Sequence, residues 1–65
     1  MTMIRIVIER WKHLDGSTQH LWSVWRDSKR VAMGKPRATV EEAEAEAQAA
    51  CQNGLGRPAD TVERL

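Results

Sequence analysis

The chain has 65 residues, 42% of them hydrophobic, with ten Lys/Arg against nine Asp/Glu and a net charge of +1. That length gives room for one domain burying only about 60% of the surface its unfolded form exposes, and because eight of the hydrophobic residues are Ala, the three Trp must carry much of the stability. A single cysteine, Cys51, excludes an intramolecular disulfide, and no Cys/His pair stands at zinc-ligand spacing, so neither of the usual staples of a small scaffold is available.

Residues 1–12 hold an apolar run broken by Arg5 and closed by Glu9 and Arg10. It is too short and too charged for a signal peptide or a membrane span, and the expectation is a cytoplasmic protein with no membrane partner. Residues 3–11 read as a strand: the segment is β-branched and aromatic, with Ile4, Ile6 and Ile8 on one face and Arg5, Val7, Glu9 and Trp11 on the other. Asp15-Gly16 then marks a reversal, since Gly accepts a positive φ and Asp can hydrogen-bond its own backbone.

Residues 20–26 carry apolar side chains on both faces, Trp22 and Val24 on one and Leu21 and Trp25 on the other, as a central strand does. Asp27-Ser28-Lys29 turns the chain into a short edge strand over 30–33, which Gly34-Lys35-Pro36-Arg37 ends. Thr39-Val40-Glu41-Glu42 has the pattern of a capping box and opens a helix over 40–53. Its core stripe is Val40, Ala43, Ala47, Ala50 and Cys51. Asn53-Gly54-Leu55 supplies a stop with Gly54 in the left-handed position. The tail, 56–65, is expected to form one further helical turn from Pro58 or to fray.

The fold class that follows is α+β: a single domain spanning 1–65, in which a three-stranded antiparallel sheet packs on one C-terminal α-helix (βββα). Ile4, Ile6, Ile8, Trp22 and Val24 face the helix. The pleat sends Arg5, Val7, Glu9, Trp11, Ser23 and Trp25 to the uncovered face, with Arg26, Lys29 and Arg30 at the turn.

Charge sharpens this picture. Residues 1–40 hold eight Lys/Arg and three Asp/Glu, and residues 41–65 hold two and six, so the two parts stand at +5 and −4. An open face mixing cations with aromatics suits nucleic acid, DNA or RNA, because Arg and Lys neutralise phosphate and Trp stacks on bases. The candidate binding residues are Arg5, Trp11, Trp25, Arg26, Lys29 and Arg30. Alternatively Trp11 and Trp25 form a cross-strand pair or a homodimer interface, with Lys and Arg stems covering them. Glu41, Glu42, Glu44 and Glu46 give an acidic helix surface that is either simply solvated or a mimic of phosphates.

His13 and His20 flank the first reversal but lack an acidic or cysteine partner at ligand spacing, and Cys51 sits in the core stripe as a small hydrophobe. No metal, cofactor or catalytic residue is expected, and the chain does not read as an enzyme.

With these elements placed, Trp22-Ser23-Val24-Trp25-Arg26, Lys29-Arg30-Val31 and Thr39-Val40-Glu41-Glu42-Ala43-Glu44-Ala45 resemble the N-terminal arm-binding domain of phage-type tyrosine integrases. They are similar also to the plant ethylene-response-factor DNA-binding domain, and the pattern occurs in HicB-like antitoxins. The resemblance covers roughly residues 20–50. It implies a sheet whose exposed face enters the DNA major groove, with Trp25, Arg26, Lys29 and Arg30 in contact and Trp22 and Val24 in the core. A small non-enzymatic nucleic-acid-binding protein of prophage or mobile-element origin is the expectation. The alternative is a protein-binding module, either a homodimeric adaptor or an anti-CRISPR-like inhibitor of a nucleic-acid enzyme.

Overall fold

A computed structural model describes residues 2–65 of the chain. The elements in order are β1 (Ile4–Lys12), β2 (Thr18–Arg26), β3 (Lys29–Met33), α1 (Val40–Leu55) and β4 (Thr61–Arg64). The strands form one sheet in the order β3-β2-β1-β4, antiparallel throughout except that β4 lies parallel to β1.

The α+β class and the three leading strands follow the expectation, but the sheet has four strands and is mixed. The tail neither frays nor adds a helical turn. Its cause is the polar edge of β1, whose backbone groups require partners. The Ile4 N–H donates to the Asp60 carboxylate and the Asp60 N–H donates to the Ile4 carbonyl, both at 2.8 Å, and the Leu65 N–H reaches the Ile8 carbonyl at 2.9 Å. Arg57 fixes this junction by bonding both the Asp60 carboxylate and the Thr2 carbonyl. Val62 then packs against the core.

The β1–β2 hairpin is longer than the hydrophobic pattern indicates, pairing as far as Lys12 with Thr18. Its loop closes through the His13 N–H to the Ser17 carbonyl and the Gly16 N–H to the His13 carbonyl, with Gly16 at φ 91°, a conformation that costs a residue without Cβ little. Asp15 accepts from the Ser17 hydroxyl and N–H at 2.7 and 2.9 Å, and these bonds hold its carboxyl below the usual range. Asp27, at φ 57°, makes the tighter turn into β3 and exchanges two hydrogen bonds with Met3. A bulge then places Val31 outside the β2 register.

Helix α1 opens as its sequence indicates. Thr39 Oγ1 accepts from the Glu42 N–H, and the hydroxyl in turn donates to the Glu42 carboxylate rather than leaving that carboxylate to the Thr39 backbone. The far end is corrected: the helix runs through Leu55, and Gly56 at φ 78° is the left-handed cap, its N–H donating to the Gln52 carbonyl. Of the two glycines available, the one after Leu55 takes the stop, leaving Gly54 inside the last turn.

The core lies between α1 and one sheet face. Ile4, Ile6, Ile8, Trp22 and Val24 pack against Ala43, Ala47 and Cys51, where small helix residues admit large sheet residues close to the helix axis. Burial pushes the Cys51 thiol up. Trp22, 7% exposed, is locked on three sides. Its indole N–H donates to Glu46 at 3.0 Å, Glu46 pairs with Arg37, and a Cβ on Gly34 would overlap the ring.

Candidate nucleic-acid interface

The strand register writes the uncovered face as four rows, from the β2–β3 turn to the hairpin loop. Thr61, Arg5, Trp25 and Arg30 form the first; Glu63, Val7, Ser23 and Met33 form the second. Glu9 and Leu21 form the third, extended by Pro36, and Trp11 and Gln19 form the fourth.

Each expected site residue can be placed on this grid. Arg5 and Trp25 are direct neighbours, with the Arg5 guanidinium carbon 5.8 Å from the centre of the indole, a cation–π distance. Trp25 is oriented by its N–H, which donates to Ser23 Oγ at 3.0 Å. Arg5 faces Glu63 at 3.9 Å, beyond hydrogen-bond reach, and its Nε is buried without a partner. This leaves a guanidinium held in place by an aromatic ring and still short of acceptors.

Arg26, Lys29 and Arg30 surround the Asp27-Ser28 turn, and all three are exposed. The register divides them: Arg26 lies opposite Ile4 on the helix side of the sheet, and Arg30 lies opposite Trp25 on the open side. The cations therefore wrap the end of the sheet rather than lining one face.

Trp11 stands apart. It is opposite Gln19, whereas Trp25 is opposite Arg5, so about 20 Å of strand separates the two aromatics. The cross-strand pair weighed from the sequence does not form, because the hairpin reverses just beyond Trp11 and carries Trp25 to the far end of the ladder. Trp11 is 54% exposed, and its indole N–H donates to Glu9 at 3.0 Å. Together with His13, Gln19, Leu21 and Pro36 it lines a hollow of about 220 Å³.

His13 lies 2.7 Å from Gln19 on the open side, while His20 shares the register side of Trp22 and pairs through its backbone with Arg37. The two imidazoles thus lie on opposite sides of the sheet. Among the described residues no group of three or more His, Cys, Asp or Glu is placed to hold a metal ion. No helix among them is long and apolar enough to cross a membrane.

Ion pairing separates two kinds of cation. Among the described residues Arg5, Arg37, Arg57 and Arg64 face Glu63, Glu46, Asp60 and Glu44. Four of the ten Lys/Arg are thereby engaged, and the other six, Arg10, Lys12, Arg26, Lys29, Arg30 and Lys35, have no carboxylate partner there. All six belong to β1, β2, β3 and the segment that follows. Two of the four helix glutamates, Glu44 and Glu46, are tied to arginines, and the Glu44 hydrogen bond raises the Arg64 pKa further. The helix surface consequently offers fewer free carboxylates than its sequence suggests.

Pro36, Gln19 and Leu21 were not among the residues expected at a site. Pro36 carries only the signal of a ladder breaker, and its position beside β2 depends on the backbone bonds between Arg37 and His20, at 2.7 and 2.8 Å. Comparison with family models, with curated proteins and with solved structures finds no match.

Proposed function

We propose that the protein is a small nucleic-acid-binding domain that uses the end of the sheet around Arg26, Lys29 and Arg30 together with the Arg5–Trp25 pair. The observation that carries the proposal is that, of the six cations without carboxylate partners among the described residues, Arg26, Lys29 and Arg30 surround one turn. Unpaired cations on a rigid sheet neutralise phosphates without first breaking an internal ion pair. Arg5, lying over Trp25, adds a guanidinium of fixed orientation, which suits an oxygen acceptor. The resemblance of residues 20–50 to integrase arm-binding and ethylene-response-factor domains points the same way, and a prophage or mobile-element origin is part of this reading.

The test is a titration of duplex and single-stranded oligonucleotides over a range of salt. Replacing Arg26, Lys29 and Arg30 together by Ala should weaken binding on all sequences and reduce the salt slope by about 0.9 for every phosphate left without its cation. Absence of wild-type binding at low salt, where phosphate contacts are strongest, would refute the proposal.

A second reading rests on a different observation. Leu14, Trp11, Met33 and Val31 are exposed apolar side chains on the hairpin and β3, and such surface also serves protein interfaces, including one between two copies of this chain or one with a nucleic-acid enzyme. Sedimentation separates the two: a self-associating protein changes mass with concentration and is little affected by salt.

A further inference from the structure

The uncovered sheet face carries its apolar groups and charges in an order that a second copy of the same face complements. Val7, Ser23 and Met33 form its central row, with Trp25 one row toward the β2–β3 turn and Leu21 one row toward the hairpin loop, both partly exposed. Met33 is 53% exposed, and α1 packs on the other face. Along β1 this centre is flanked by opposite charges, Arg5 in the Trp25 row and Glu9 in the Leu21 row. Neither has a close ionic partner among the described residues: Arg5 stands 3.9 Å from Glu63, and Glu9 accepts the Trp11 indole N–H but faces no cation.

Sheets stack face to face about 10 Å apart with strands nearly aligned, and a twofold axis between two copies can run along the strands or across them. An axis along the strands, between β1 and β2, lays β1 over β2 of the second copy. That sets Glu9 against Leu21 and Glu63 against Met33, desolvating carboxylates without a cation. An axis across the strands, through the Val7 row, lays each strand over its own counterpart with the row order reversed. Arg5 then meets Glu9 of the second copy, twice by symmetry, Trp25 covers Leu21, and Val7 and Met33 meet their counterparts. Glu63 meets its counterpart too, but on the outermost strand, where its side chain is 56% exposed and salt screens the pair. We infer that two copies of this chain associate through the open sheet face about an axis crossing the Val7–Ser23–Met33 row. Four strands and three rows span about 20 by 20 Å, at the small end of specific interfaces, so the dimer is a reversible one. This gives the self-association reading above a face and an arrangement. A second copy and nucleic acid exclude each other at Arg5 and Trp25, while Arg26 and Lys29, on the helix side, stay free in the dimer.

Sedimentation of the full chain without nucleic acid, from dilute to near-millimolar concentration, should show a mass rising from 7.4 kDa toward twice that value. Met33→Glu, at an exposed position in the central row, sets two carboxylates together and should weaken association about tenfold or more. Arg5→Glu and Glu9→Arg should each weaken it similarly, and the two together should restore it to within about threefold. Within one chain these positions stand about 13 Å apart, so the rescue reports a contact between copies. Near-ultraviolet circular dichroism checks that each variant keeps its packed core, and Met33→Glu decides if a charge reversal does not fold. A mass of 7.4 kDa at every concentration overturns both the pairing and the self-association reading and leaves the nucleic-acid reading standing. A dimer indifferent to Met33→Glu, or charge reversals without effect or without rescue, overturns this arrangement alone, since the copies then meet through another surface.

Discussion

Two tryptophans on one hairpin mark two regions built on different terms. At the covered end of the sheet Trp22 is enclosed by α1, Gly34 and the Glu46–Arg37 pair. At the free end Trp11 is more than half exposed, and no residue from Glu9 to Leu21 is buried. The same residue type contributes cohesion in one place and exposed surface in the other, because the helix covers Ile4 to Ile8 and leaves the hairpin end bare. In so small a domain these tasks are separable: changes to the side chains that α1 covers should unfold the protein, and changes to the exposed ones should alter what it binds.

The largest effect should come from Trp22→Ala, which empties the centre of the core and should cost about 3–5 kcal/mol in a denaturant melt. Trp11→Ala should stay within about 0.5 kcal/mol. Similar losses for the two variants would abolish the distinction between the regions. Gly34→Ala should follow at about 1–3 kcal/mol, because its methyl must displace the indole from the position where it bonds Glu46. A neutral Gly34→Ala would mean that the ring has room to shift and that the enclosure is looser than its geometry suggests.

Thr39→Ala removes the helix cap and should cost about 0.5–2 kcal/mol with binding unchanged. Loss of binding in a folded Thr39→Ala protein would show that the start of α1 also takes part in recognition. The smallest change in a global melt should come from the Asp60 junction, which is read more directly by amide exchange in β4. The Ile4 N–H, and after it Arg57, hold the Asp60 carboxyl below its ordinary range. A depressed carboxyl stabilises the fold fully above its unfolded value of about 3.9, and that contribution fades as pH falls through the lower folded value. Protection of the Val62 and Arg64 amides should therefore decline in acid, and Asp60→Asn should flatten the decline. Identical acid profiles for the two proteins would remove Asp60 from the account, leaving Asp15, whose carboxyl is also lowered, as the group to examine.

The covered end was far more legible in the sequence than the free end or the tail. Alternation placed Ile4, Ile6, Ile8, Trp22 and Val24 on one face, and the spacing of Ala43, Ala47 and Cys51 placed their partners. These are local periodicities, and burial on one side enforces them. β4 has no such signal. Four residues, with Val62 alone turned to the core, are too few to alternate, and what recruits them is a backbone exchange between Asp60 and Ile4 across 56 positions. The hollow was equally hidden, since Trp11 and Pro36 are brought to either side of β2 by a pairing between His20 and Arg37 that no motif encodes. For the candidate interface, the sequence proposed Arg5, Trp11, Trp25, Arg26, Lys29 and Arg30. Which cations lack carboxylate partners became visible only once β4 and α1 had brought Glu63, Glu46, Asp60 and Glu44 to four of the arginines.

The parallel pairing of β4 with β1 has a consequence for solubility. β1 contains the most apolar run in the protein, Ile4 to Ile8, and without β4 its outer backbone groups would be an open template for the same segment of another molecule. β4 occupies that template with a strand of only four residues carrying Glu63 and Arg64, charges that discourage a further strand from joining. The last few residues, of which only Val62 reaches the core, thus act as gatekeepers. A chain shortened before Thr61 should keep its hairpin and helix in dilute solution, yet aggregate as concentration rises.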